Sequence, residues 1–312
     1  MITLTAVYIV AGAFFAIVAL LSLRDASNPN RLGNAAFWAL LATSFLAGDH
    51  LGDLGNGALV IGLVAIAGFG WLGQGKAETT SPAERLVEAK ARGAKLFLPA
   101  LVIPAVALGG TLLFKYTKGL AQIGQETIIA LMIGTLLALT VGYLWLRPAP
   151  LVPLQEGRRL MDAVGWAAVL PQMLASLGAV FALAGVGEVV GSIAEQAIPD
   201  GSLLGAVIAY GLGMALFTMI MGNAFAAFPV MTAAVGLPLL ILGYGGDPAI
   251  VCAIGMLSGF CGTLMTPMAA NFNIVPAALL DLKDRNGVIR QQVGTAIPLL
   301  VVNILFIYWF AF

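Results

Sequence analysis

Residues 221–238 read MGNAFAAFPVMTAAVGLP, and residues 261–280 read CGTLMTPMAANFNIVPAALL. No charged residue and no histidine occurs from residue 201 to 246 or from 248 to 280. An apolar segment this long otherwise predicts transmembrane helix, yet proline, glycine, asparagine and threonine recur in both stretches. The pattern therefore predicts membrane-embedded helices that are broken at two places.

The two breaks share one arrangement of residues. Proline starts a helix readily but stops a helix that reaches it later, so a proline pair nine positions apart is predicted to bound a short helical piece. Such a piece is about 12–14 Å long, less than half of the ~30 Å hydrocarbon layer. In each break a glycine and a polar residue precede the proline pair: Gly222, Asn223, Pro229 and Pro238, then Gly262, Thr263, Pro267 and Pro276.

Half-length helices at membrane depth have backbone groups that lipid cannot satisfy, so they must be buried in protein or line a wet cavity. In secondary transporters such helices point their positive N-termini at an anionic substrate, while freed carbonyls hold a coupling cation. We expect the N-terminus at Thr266–Pro267 to be an anion contact. The predicted substrate-binding side chains are Asn223, Thr232, Thr263, Thr266, Asn271 and Asn273.

A different interpretation of both breaks stays open. Glycine and proline are more frequent in membrane helices than in soluble ones, so the prolines could be ordinary kinks and the glycines small packing residues.

Glu188 is the candidate proton carrier, because a carboxylate at membrane depth is costly and usually marks an ion path. The alternative is that Glu188 belongs to an extracytoplasmic loop together with Glu195 and Asp200. No nucleophile motif and no metal-ligand spacing is recognisable, so we expect neither an enzyme nor a bound metal. Na⁺ or H⁺ as a coupling ion is the one cofactor considered.

Composition extends the membrane assignment to the whole chain. Of 312 residues, 60% are hydrophobic and 10% are charged, whereas a soluble domain is about one quarter charged. This length allows roughly ten crossings. The predicted fold is an all-α polytopic transmembrane helical bundle with broken helices or re-entrant hairpins. It forms a single integral membrane domain, with scaffold helices in residues 1–163 and the substrate-site region in residues 164–312.

Charge indicates partners and orientation. Equal numbers of acidic and basic residues, without a basic cluster, exclude nucleic acid and leave the lipid bilayer as the surrounding medium. Ten Lys and Arg lie in loops 24–33, 73–95 and 147–165, against two in the loops between them. The positive-inside rule makes these loops cytoplasmic and the N-terminus extracytoplasmic. Apolar runs predict spans at 2–23, 34–47, 56–72, 96–114, 127–146, 166–184, 203–221 and 294–312.

Ser81, Pro82 and Glu84 form a typical helix start, which predicts a short helix at the membrane surface. This helix either connects two bundles that move separately or is a solvated connector.

Three stretches resemble a bacterial inner-membrane family, catalogued as the domain of unknown function nine hundred and seventy-nine. They are RGAKLFLPALVIP (92–104), MGNAFAAFPVMTAAVG (221–236) and CGTLMTPMAANFNIVPAALL (261–280), and the resemblance covers essentially the whole chain. Members of that family are commonly encoded beside a second, smaller membrane protein and are associated with genes for 5-oxoproline breakdown. The resemblance therefore implies one half of a two-component permease for 5-oxoproline or a related carboxylate.

The breaks are also similar, more remotely, to those of the ion-transporter superfamily, which implies elevator-type transport with re-entrant hairpins. This chain lacks the Ser-Asn-Thr signature of some of those relatives, so no ion-site residue is carried over. The predicted function is a secondary transporter subunit that moves a small organic anion with ion coupling. The alternative is an accessory or scaffold subunit of a permease complex, without a pathway of its own.

Overall fold

The protein is built from helices and connecting turns. A computed structural model describes residues 1–75, 81–117, 119–169, 173, 176, 180–181, 183–197 and 201–312. Seven helices of this described part are long and apolar enough to cross a membrane. The predicted all-α, multi-pass membrane fold is therefore confirmed.

The chain divides into two compact units, Met1–Asp162 and Ala163–Phe312. The division falls one residue before the predicted boundary at 163. The scaffold and substrate-site roles assigned to the two parts stay predictions.

The first unit consists of helices that pack in antiparallel pairs. Gly110 lies against Ala130 and Gly134 lies against Ile103, so α4 and α5 run in opposite directions. Small residues at these contacts let the backbones approach closely, which is the usual packing of membrane helices. The helices are α1 (Leu4–Arg24), α2 (Arg31–Gly68), α3 (Pro82–Arg92), α4 (Leu98–Tyr116), α5 (Glu126–Leu146) and α6 (Val152–Val164), the last of which crosses the division.

Helix α2 is a hairpin of two helical arms, 31–51 and 53–68. A straight helix of its 38 residues would be about 57 Å long. Instead Gly52, with φ 62° and ψ −177°, turns the chain back, a conformation that glycine adopts without steric cost. Asn34 Nδ2 donates to the carbonyl of Gly73 at 2.8 Å. The two spans predicted at 34–47 and 56–72 correspond to these arms.

The three basic loops of the first unit lie together. Asn28 Nδ2 donates to the carbonyl of Gly73 at 3.1 Å, and Arg85 Nη2 pairs with Glu156 Oε1 at 3.2 Å. The N-terminus contacts a different loop, because Ile2 N donates to the carbonyl of Leu120 at 2.7 Å. The predicted alternation of loops between two faces is therefore present in this unit, while the identity of the cytoplasmic face stays a prediction.

Helix α3 begins where the sequence predicts. The Ser81 hydroxyl accepts from Glu84 N at 3.2 Å, and Ser81 N donates to Glu84 Oε2 at 2.7 Å. This reciprocal pair satisfies two backbone donors at the helix start.

The second unit contains a 3₁₀ turn, Gly165–Ala168, followed by further helices. About half of the predicted span 166–184 lies outside the described residues. The helices are α7 (Val186–Ala197), α8 (Leu203–Met221), α9 (Ala224–Gly243), α10 (Pro248–Thr263), α11 (Ile274–Leu279) and α12 (Gly287–Phe310).

Helices α8 and α10 run parallel in close contact. A Cβ on Gly255 would overlap the Tyr210 ring, and a Cβ on Gly262 would overlap the carbonyl of Ala215. Contacts therefore advance along both helices in the same direction. Asp247 N donates to the carbonyl of Ala311 at 2.9 Å, so α12 returns antiparallel to α10.

The first proline pair does not bound a short helix, which corrects the prediction for Pro229 and Pro238. Both prolines lie inside α9, which runs 20 residues without interruption. From Thr232 to Gly243 the helix is of the wider π type. Proline has no N–H to donate to the fourth preceding carbonyl, and membrane helices absorb that loss by such local widening. The break of this region lies at Gly222, which has φ 73°.

The second proline pair also departs from the prediction. Helix α10 ends at Thr263, residues 264–273 form turns, and Pro276 lies inside the six-residue α11. No helix begins at Thr266–Pro267, so the anion contact predicted for a helix N-terminus there is wrong. Side chains of this segment bond to backbone carbonyls instead, which competes with helix formation.

Candidate functional site

The two breaks meet at the same end of α8 and α10. Thr266 Oγ1, in the second break, donates to the carbonyl of Met219 at 2.8 Å, three residues before Gly222. The Phe225 and Phe260 rings lie edge to face with centroids 5.7 Å apart. Segments more than forty residues apart in the chain therefore form one polar junction within the part of the second unit that has no charged residue, 201–246 and 248–280.

Asn273 holds the non-helical segment of this junction in place. The side chain is 0% exposed, and Nδ2 donates to the carbonyls of Thr263 at 2.8 Å and Thr266 at 2.7 Å. Thr263 Oγ1 donates back to the carbonyl of Phe260 at 2.6 Å. The predicted site residues Thr263, Thr266 and Asn273 are thus brought together, with carbonyls that α10 would otherwise leave unpaired.

Asn223 and Gly222 form the facing turn. Gly222 ends α8 in a left-handed conformation, and Asn223 Oδ1 accepts from Phe225 N at 2.9 Å as the N-cap of α9. Met221, Gly222 and Ala224 are buried. Asn223 itself is half-buried and Phe225 is exposed, so the turn has one buried side and one open side.

Two oxygens in this region are buried without a hydrogen-bond partner. They are Asn273 Oδ1 and Thr218 Oγ1, the latter on the last turn of α8. An unpaired buried polar group costs about 1–3 kcal/mol. Both oxygens can accept a hydrogen bond or coordinate a hard cation.

The helix ends at the junction supply opposite partial charges. The C-termini of α8 and α10 bring negative ends, and the N-terminus of α9 brings a positive one. No formally charged residue lies between positions 248 and 280. Anion attraction at the junction would thus come from the start of α9 and cation attraction from the ends of α8 and α10.

Three predicted residues lie apart from these contacts. Thr232 Oγ1 is 3.3 Å from the Tyr210 hydroxyl, and Tyr210 lies about 12 Å along α8 from Thr218. Asn271 is exposed at the edge of the segment 264–273. Glu188 is exposed in the first turn of α7. Gly187 of that helix lies against the carbonyl of Val230.

The sequence interpretation missed a buried polar cluster in the first unit. Arg158 pairs with Asp25, and both side chains are 8% exposed. Asp162 Oδ1 accepts from Asn34 Nδ2 at 2.8 Å and from Trp38 Nε1 at 3.1 Å. From the sequence, Arg158 is one of the charges of loop 147–165, and Asn34 and Trp38 belong to a predicted span. No local pattern joins positions more than 120 residues apart.

The pKa values of the two carboxyls of this cluster are shifted in opposite directions. Burial raises the pKa of Asp162 above its ordinary value, although Trp38 and Asn34 donate to the carboxylate. Burial alone would raise the pKa of Asp25 as well, but hydrogen bonds from Ser27 and Arg158 hold it below its ordinary value. Asp25 is thus anchored as a carboxylate, whereas Asp162 is the more easily protonated of the pair.

Within the described part of the chain, no three His, Cys, Asp or Glu side chains are grouped so as to hold a metal ion.

Comparison with known proteins gives one match. The model of the family described as "Protein of unknown function (DUF979)" matches residues 5–312. No curated protein and no solved structure matches the chain. Since the match covers nearly every residue from α1 to α12, the chain belongs to the DUF979 family.

Proposed function

We propose that this protein is a subunit of a secondary transporter that moves a small organic anion across the bacterial inner membrane. The observation that carries the proposal is the junction of the turn at Gly222–Asn223 with the segment 264–273. Non-helical backbone among membrane helices is tolerated only where it is buried in protein or lines a wet cavity. Broken helices of this kind form the substrate and ion sites of many transporters.

The chemistry of the junction supports a solute with both polar and apolar parts. Asn273 Oδ1 and Thr218 Oγ1 offer unpaired acceptors, and the start of α9 offers a positive helix end to a carboxylate. The Phe225, Phe260 and Phe272 rings supply apolar surface nearby. 5-Oxoproline, with one carboxylate and one lactam on a small ring, is the first solute to test.

Two further parts of the proposal follow the family resemblance. A second, smaller membrane subunit completes the permease, and a Na⁺ or H⁺ gradient drives uptake. In this scheme the basic loops of the first unit face the cytoplasm and the N-terminus is extracytoplasmic.

Uptake by proteoliposomes tests the proposal. The chain is reconstituted with the membrane protein encoded beside it, and labelled 5-oxoproline and other small carboxylates are offered under Na⁺ or H⁺ gradients. N223A and N271A should lower uptake at least about tenfold if each removes a hydrogen bond to a charged solute. N286A, at an exposed asparagine before α12, is the matched control. If liposomes with the wild-type complex take up none of the carboxylates faster than empty liposomes do, the proposal is contradicted.

A scaffold subunit is the second candidate, and the continuous course of α9 through Pro229 and Pro238 favours it. A scaffold has no pathway, so its removal should leave the partner with reduced but measurable uptake. If this chain is the transporting subunit, its removal should leave no measurable uptake. Reconstitution of the partner with and without this chain distinguishes the two.

A further inference from the structure

A cavity with charged, polar and apolar walls opens beside the end of α1 in the first unit. Its volume is about 450 Å³. The lining combines charged, polar and aliphatic side chains: Leu21, Arg24, Asp25, Ala26, Ser27, Leu151, Gln155 and Arg158. Two arginines against one aspartate leave the lining with an excess positive charge.

Arg158 is a buried donor for this cavity. Its residue exposure is 7%, and the ion pair with Asp25 uses Nη1 alone. The Arg158 side chain lines the cavity. Asp25 therefore orients a guanidinium, which carries five N–H donors, at the wall of the cavity.

Arg24 adds the second positive charge. It lies in the last turn of α1, is exposed, and forms no ion pair with a described acidic residue. Two guanidinium groups on one cavity suit a phosphate or carboxylate, which arginine binds through paired hydrogen bonds.

An apolar groove of about 410 Å³ runs between α1 and the first arm of α2. Leu20 lies in the groove and Arg24 in the cavity, and residues four apart stack on one helix face. The groove and the cavity therefore lie one helical turn apart on α1. Alanines create most of its depth, since its lining is Ala16, Ala19, Leu20, Leu23, Ala35, Ala39, Ala42, Thr43 and Leu46.

We propose that an anionic phospholipid binds here, with its phosphate against Arg24 and Arg158 and one acyl chain in the groove. The cavity and the groove lie within one turn of each other on α1, a distance that a single lipid molecule spans. Basic pockets between membrane helices at the cytoplasmic side bind anionic headgroups, and loop 24–33 is one of the three basic loops predicted on that side. This site is independent of the transport proposal and uses none of the junction residues.

Thermal unfolding of the purified full-length chain in detergent tests the site, with phosphatidylglycerol titrated as the ligand. A lipid that binds only the folded state raises Tm, so phosphatidylglycerol should raise Tm and phosphatidylcholine should not. Glycerol 1-phosphate, which has the phosphate but no acyl chain, should give little or no shift. High salt should weaken the phosphatidylglycerol effect.

Paired variants separate the headgroup from the acyl chain. R24Q should weaken phosphatidylglycerol binding about tenfold, because it removes hydrogen bonds to a charged group. R31Q, at an exposed arginine outside the cavity lining, should not. A39F should fill the groove and abolish the shift, while A36F, at an exposed alanine outside the groove lining on the same arm, should preserve it. Equal shifts with phosphatidylcholine or glycerol 1-phosphate, or equal behaviour within either pair of variants, would overturn the proposal.

Discussion

At the scale of single residues, buried side chains that bond to backbone carbonyls determine the shape of the junction. Asn273 donates to the carbonyls of Thr263 and Thr266 in place of the backbone N–H groups of a continued α10. The Thr266 hydroxyl likewise donates to the carbonyl of Met219 near the end of α8. Thr263, Thr266 and Asn273 are buried, and a buried polar group that loses its hydrogen bond is costly. Asparagine and threonine at these positions are therefore required by the local fold, whatever solute is bound.

Replacement of Asn273 should destabilise the protein. N273L leaves the carbonyls of Thr263 and Thr266 unpaired in a buried site, so the free energy of unfolding should fall by about 2–5 kcal/mol. N271L changes an exposed side chain and should stay within about 0.5 kcal/mol of wild type. Melting curves in detergent measure both. Equal melting temperatures for N273L and N271L would show that the two hydrogen bonds do not hold the segment.

Asp162 should make stability depend on pH in an unusual direction. Its folded pKa is raised above the ordinary value of 3.8, so the folded state binds the proton more tightly than the unfolded state. Stability from this group is therefore present at low pH and is lost as pH rises toward the folded pKa. D162N keeps an acceptor for Trp38 and cannot titrate.

The Tm of D162N minus that of wild type, measured at about pH 4.5 and about pH 7.5, should be larger at the higher pH. A difference that shrinks as pH rises would contradict the assignment.

At the scale of elements, glycine contacts and helix ends explain the architecture better than prolines do. Pro229 and Pro238 lie in a continuous helix, while Gly222 ends one helix and Gly52 folds another into a hairpin. Proline in a membrane helix removes one hydrogen bond, which local widening can absorb. A glycine with positive φ changes the direction of the chain. The prolines and glycines can both be read from the sequence, but helix propensity alone does not show which of them interrupts a helix.

Gly262→Ala should separate α10 from α8. The new Cβ would overlap the carbonyl of Ala215, and a backbone atom cannot move aside as a flexible side chain can. Overpacking of this kind costs about 1–3 kcal/mol. Gly294→Ala in α12, where a Cβ meets nothing within 4 Å, should be neutral or stabilising because alanine favours helix. Melting temperatures of the two variants in detergent test this prediction. If G262A were as stable as G294A, the close contact between Gly262 and the carbonyl of Ala215 would be contradicted.

At the scale of the whole molecule, the sequence predicted what depends on composition and order along the chain. Membrane class, the hairpin arms of α2, the start of α3 and the meeting of the basic loops follow from local hydrophobicity, caps and charge counts. Contacts such as Thr266 with Met219, or Asp25 with Arg158, join positions far apart in the chain. These contacts depend on how the helices pack against each other, and one sequence alone does not specify that packing.

The central claim is that the junction of the two breaks is a wet site for a small anion. Cysteine accessibility tests it in vesicles that hold the chain, its neighbour, and alanine in place of Cys252 and Cys261. A charged, water-soluble thiol reagent should label N223C and N271C faster than L257C, whose position is 51% exposed on the apolar α10. Saturating 5-oxoproline or another transported carboxylate should slow labelling at 223 and 271 only. The claim would be contradicted if N223C and N271C were labelled as slowly as L257C and if no carboxylate changed their labelling rates.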